Sequence, residues 1–175
     1  DDASFFNKEA IYYPAKDAIF YSADVHGNQI TGERLRCISR IINHSSTGEG
    51  VLTVVTTMDG IADRLIPVER FKEAVITLDY SSEIEPEKLA KKLVAMGFVR
   101  TGMVEDKGQF AIRGGIIDIF SYTDEAPVRI ELWDTEVDSI RMFDVESQRS
   151  IENQERVRIY PAAELVPDAA EREKA

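Results

Sequence analysis

The 175-residue chain is 43% hydrophobic and carries a formal net charge of −11. That is enough apolar material for a core, and it excludes a disordered tail. So acidic a chain is also a poor nucleic-acid module, because such modules gain affinity by neutralising phosphates with basic stripes. No apolar run reaches the roughly 20 residues needed to cross a bilayer. Cys37 is the one cysteine, which leaves no internal disulfide or thiolate metal cluster and points to a reducing cytoplasm.

The start, DDASFFNKEA, has no initiator Met and no basic flank before an apolar stretch. It reads as a cut inside a longer protein, not as a signal peptide. From Ala10 to Tyr21 an aromatic-rich run broken by Pro14 predicts a short strand and then a loop. Thr31 is the expected N-cap of a helix in which Leu35, Ile38 and Ile42 fall at helical spacing. The small, polar His44–Gly50 stretch predicts a loop, and VLTVVTT after it a buried strand. This order suggests α/β layering.

A strand is expected at Val75–Leu78. A helix then follows through PEKLAKKLVAM, with Pro86 in its first turn, Gly97 just past its end, and Leu89, Leu93 and Met96 as its apolar stripe. Glu87 and Lys91 stand at i,i+4. The basic pair Lys91-Lys92 reads as a solvated helix face. From Phe98 the period becomes two, predicting strands near 98–104, 108–113, 115–120, 127–133 and 136–143 in an antiparallel meander. Val128, Ile130 and Leu132 fall on one side, with Arg129, Glu131 and Trp133 on the other. A last strand in ERVRIY stops at Pro161. The expected domains are an α/β lobe at 1–65, an α+β module at 66–146 and a return segment into the first lobe at 147–175.

Legible catalytic chemistry is missing. No G-x-x-x-x-G-K-[ST] phosphate loop occurs, and Gly114-Gly115 reads as a tight turn or bulge between strands. His26 and His44 read as loop histidines, Cys37 as helix packing, and no nucleophile-base set or metal site is evident. Asp118 and Glu131 are expected to neutralise Arg113 and Arg129 across strands, for tenths of a kcal/mol each. Phe110 and Ile112 make the natural core face of their strand, leaving Arg113 exposed beside the glycines. Arg113, with Arg100 on the preceding strand, suits either surface salt bridges or the anchoring of a protein partner.

The ordered pattern RGGIIDIF, then PVRIELW, then DSIRMFD and SQRS resembles the N-terminal region shared by the excision-repair protein UvrB and the bacterial transcription-repair coupling factors. The resemblance extends through YYPAKDAIFYSADVHGNQITGERLRCISRI and GVLTVVTTMDGIADRLIP. The coupling-factor family is the better match, because Tyr12-Tyr13-Pro14 leaves no room for the DNA-gripping hairpin of UvrB. The resemblance implies a partial RecA-like lobe followed by a small module with an antiparallel meander and one main helix. It also implies that this module docks the damage-recognition ATPase UvrA without doing catalysis, and that no cofactor binds here. ATP and Mg serve motor domains elsewhere in such proteins, and RNA polymerase and double-stranded DNA bind through other domains. The implied contact residues are Arg100, Arg113, Gly114, Gly115 and Ile117, although Ile117 suits core packing better than partner contact. UvrB has a further arginine where this chain has Ala111. A C-terminal domain of the same protein is expected to cover the surface until polymerase is engaged. Alternative readings are a DNA-contacting or autoinhibitory domain of a UvrB-like repair helicase.

Overall fold

Residues 10–16, 24–48, 51–62, 65 and 67–164 are described by the structure, a computed structural model. The chain forms two compact units, Asp1–Val68 and Glu69–Ala175. Residues 17–21 of the expected aromatic loop and those after Glu164 lie outside the described residues.

In the first unit, strand β1 (Ala10–Tyr13) leads to helix α1 (Asp24–Thr47), strand β2 (Thr53–Thr56) and helix α2 (Met58–Ala62). β1 and β2 pair in parallel, Ala10 opposite Thr53 and Tyr13 opposite Thr56. A tight turn cannot join parallel strands, and α1 is the crossover between them. Leu35 and Ile42 are buried as their spacing predicts.

α1 is nevertheless longer at both ends than its sequence suggests. Thr31 is inside the helix, not its cap, and so is Gly32. A glycine there costs about 1 kcal/mol in helix propensity. Packing on β1 offsets that: the buried Arg34 donates from Nη1 to the Pro14 carbonyl at 2.7 Å, and its guanidinium lies 4.3 Å from the Tyr13 ring centroid. At the other end HSST is the last turn, not a loop. The Ser45 and Ser46 hydroxyls donate to the Ile42 carbonyl at 2.8 and 2.9 Å, and that of Thr47 to His44 at 3.2 Å. Hydroxyls that favour loops here bond back onto the helix. His26 and His44 are therefore helical residues, not loop residues. Cys37 is buried in α1, and that burial pushes its thiol pKa up, which keeps it an inert packing residue. VLTVVTT is not buried: Val54 and Val55 are 39% and 41% exposed, since β2 has only β1 beside it among the described residues.

The second unit is α+β. Helix α3 (Val68–Ala74), strand β3 (Ile76–Asp79) and helix α4 (Pro86–Ala95) precede strands β4 (Val99–Arg100), β5 (Gln109–Arg113), β6 (Ile116–Phe120), β7 (Val128–Trp133), β8 (Glu136–Phe143), β9 (Ser150–Asn153) and β10 (Arg156–Ile159). Strands β4 to β9 form one six-stranded sheet in sequence order. α2 and α3, five and seven residues long, are too short to show a helical period and escape the sequence reading.

α4 lays Leu89, Leu93 and Met96 against Phe110, Ile117 and Ile130 of the sheet, all 6% exposed or less. Glu87 does not pair with Lys91; it reaches off the helix to Arg100, and Lys88 pairs with Glu85. β10 pairs antiparallel with β3, Val157 opposite Leu78, so the described part of the 147–175 segment packs within the second unit. The opening of the meander differs from expectation. β4 is two residues long and runs parallel to β5, Val99 opposite Gln109. The intervening loop crosses the sheet face, where Val104 is fully buried against Ala111 and Phe120. That crossing reverses the strand direction a hairpin would have imposed.

Two turns are held by carboxylates. Asp79 Oδ1 accepts from the Ser81 hydroxyl at 2.6 Å and the Ser81 amide at 3.0 Å, and Asp144 Oδ1 accepts likewise from Ser147 at 2.6 and 2.8 Å. These hydrogen bonds hold both carboxyls below their ordinary value of 3.8. A depressed native pKa stabilises the fold above the unfolded value, and the contribution is lost as the pH falls through the native one. The urea midpoint of the wild type should therefore fall on acidification from about pH 5 to pH 2. The fall should be shallower in an Asp79→Asn/Asp144→Asn variant. Parallel curves for the two proteins would show that these turns contribute nothing.

Candidate protein interface

Register assigns the arginines to faces. Arg100 stands opposite Phe110, on the side packed by α4, where its guanidinium donates to the Glu87 carboxylate at 3.3 and 3.5 Å. Arg113 stands opposite Ile116, two residues from Ala111, which is opposite Asp118. Residues in register share a face and alternate along a strand. Arg100 and Arg113 therefore project from opposite faces, close to the same edge of the sheet.

Asp118 is the centre of the Arg113 face. Its side chain is 1% exposed, and it accepts from Arg129 Nε at 2.7 Å, Arg129 Nη2 at 2.9 Å and Arg113 Nη2 at 2.5 Å. Arg129 lies over the Phe143 ring at 4.3 Å and donates also to Gln148 Oε1 at 2.9 Å. The Asp118 hydrogen bonds raise the Arg129 pKa, outweighing the opposing effect of desolvation. The expected pairing is thus corrected. One buried carboxylate serves both Arg113 and Arg129, while Glu131 pairs with Arg141. Burial, which alternation along a strand does not disclose, turns a surface contact into a structural one.

Arg113 is 42% exposed at its side chain and sits at the rim of this network. The hairpin loop beside it has two residues. Gly114 has φ +61°, as the first position of a II′ loop requires, and a Cβ there would meet open space. At Gly115 a Cβ would lie 2.9 Å from the Leu132 carbonyl oxygen, where Leu132 donates its amide to Gly115 O at 2.8 Å. Gly115 therefore serves the approach of β7. Alanine at Gly114 should cost about 1–2 kcal/mol in backbone strain, and alanine at Gly115 a similar amount through the clash. Only Gly115→Ala should speed exchange at the Leu132 amide beyond the effect of lost global stability, by opening that hydrogen bond; amide exchange with thermal melts separates the two. Ile117 is fully buried in the core under α4 and supports the hairpin from below.

The sequence model of the UvrB interaction domain family matches residues 76–165, from β3 through the whole six-stranded sheet to β10.

The chain belongs to the UvrB interaction domain family.

Its relatives include the Transcription-repair-coupling factor of Bacillus subtilis (strain 168), 41% identical over 169 residues, which is 97% of this chain and 14% of that protein. The Transcription-repair-coupling factor of Staphylococcus aureus (strain USA300) is 38% identical over 95% of the chain, again 14% of the relative. That of Staphylococcus haemolyticus is 39% identical over 91%, or 13% of its own length. The chain therefore spans about one-seventh of the curated relatives it matches. Within this interaction domain the sequence reading singles out Arg113 and the glycine turn but gives no role to Trp133, which is 79% exposed. Its outward position in the β7 alternation was the available signal.

Proposed function

We propose that this chain is a non-catalytic recruitment module of a transcription-repair coupling factor, and that it binds UvrA to bring it to DNA where RNA polymerase has stalled. The observation that carries the reading is Arg113, half exposed at a two-residue turn inside a matched interaction domain. Arg113 meets a UvrA carboxylate by a charge-assisted hydrogen bond. A partner gripping the β4–β5 edge reaches Arg100 on the other face, while Gly114 keeps the turn low, Gly115 seats it on β7 and Ile117 packs it from within. The parallel β1–α1–β2 unit belongs, on this reading, to a partial RecA-like lobe. ATP with Mg, RNA polymerase and double-stranded DNA engage other domains of the same cytoplasmic protein.

Calorimetric titration of the 175-residue chain with purified UvrA, without nucleotide, tests the reading. Binding by the wild type and its loss in a folded Arg100→Ala/Arg113→Ala variant are expected. A wild type that does not bind would overturn it.

A further inference from the structure

Trp133 is the most exposed large hydrophobic residue described in the second unit. Tryptophan is usually largely buried, and its exposure on a well-formed strand calls for a physical reason. Register supplies the setting. Arg113 is opposite Ile116, Ile116 is opposite Glu131, and Trp133 follows Glu131 by two residues on β7. All four share the face that carries Asp118. The loops after β4 and β8 cover that face only as far as Ala111, Asp118 and Arg129, through Val104, Val145 and Gln148. The last rows, holding Arg113 and Trp133, are left uncovered. Between them stand the partly buried Ile116 of β6 and the Gly114-Gly115 turn, whose glycines add no side chain.

Charge at this end is uneven. Arg113, Arg129 and Arg141 meet two carboxylates, Asp118 and Glu131, so this cluster keeps a surplus of one positive charge in a chain of net charge −11. Asp134 and Glu136 flank Trp133 in the β7–β8 turn, which places the cationic end at Arg113. A complementary surface therefore has a carboxylate over Arg113 and an apolar socket for the indole, an Arg-plus-Trp pairing typical of interface hot spots.

We propose that Trp133 is the second anchor of the docking site, inserting into an apolar socket of the same protein partner whose carboxylate meets Arg113. This rests on the recruitment reading above, with UvrA as that partner. The two anchors differ in their response to salt. Ion pairing at Arg113 is screened, whereas apolar burial at Trp133 is not.

The chain has one tryptophan, so labelling with 5-fluorotryptophan gives a single fluorine resonance in NMR. UvrA should shift and broaden that resonance. In calorimetry Trp133→Ala should bind about tenfold more weakly and Trp133→Phe nearly as well as wild type. The Trp133→Ala loss should persist at high salt, where the Arg113→Ala loss shrinks. Because Trp133 is exposed, Trp133→Ala should keep the wild-type melting curve. Wild-type binding with an unmoved fluorine signal and undiminished Trp133→Ala affinity would overturn the second anchor while leaving recruitment standing. No binding by the wild type would remove both. A resonance that moves with the concentration of the chain alone would assign the indole to self-association, and that too would overturn the proposal.

Discussion

Replacing Arg129 with methionine should destabilise the second unit by about 3 kcal/mol, the low end of the range for breaking a buried ion pair. Asp118 is 1% exposed at its side chain, and Arg129 supplies two of its three arginine hydrogen bonds. Methionine leaves that carboxylate with one partner, Arg113, which is itself partly solvated. The guanidinium stack on Phe143 is lost as well. An Asp118→Leu/Arg129→Met double variant removes the buried charge with its partner and should recover much of the loss, since a packed apolar pair can match a buried ion pair. Urea denaturation of the three proteins reads both effects. A loss below about 1 kcal/mol in Arg129→Met would place the pair with ordinary surface contacts and refute the buried-network account.

Arg113→Ala is the complementary case, with a large effect on binding and a small one on folding. Asp118 keeps both hydrogen bonds from Arg129, so stability should fall by no more than about 1 kcal/mol. Affinity for UvrA should fall about 30-fold, as for an interface hot spot near 2 kcal/mol. Arg113→Lys should recover only part of it, because an ammonium cannot bridge Asp118 and a partner carboxylate in the fixed fork of a guanidinium. Calorimetry beside a melting curve separates the two quantities. Unchanged affinity in a folded Arg113→Ala protein would move the docking site elsewhere.

Much of the second unit was legible because its signals are local. Period-two alternation located β5 to β8, and Pro86 and Gly97 bracketed α4. Pro161 marked the end of the last strand. What escaped was non-local or too short to carry a period. α2 and α3 are examples. The parallel start of the sheet depends on a loop folding Val104 onto Ala111 and Phe120. The extra length of α1 depends on Arg34 reaching Pro14 and Tyr13.

The candidate site divides in the same way. Residue type and order alone determined that an arginine precedes a two-glycine turn and that Trp133 points away from Val128, Ile130 and Leu132. These follow from side-chain chemistry and strand alternation, which involve near neighbours. Only the tertiary structure decided that Asp118 is buried and shared by two arginines, that Ile117 is core, and that Arg100 and Arg113 occupy opposite faces. Strand register and the covering loops set those relations, and both bring together residues far apart in the chain.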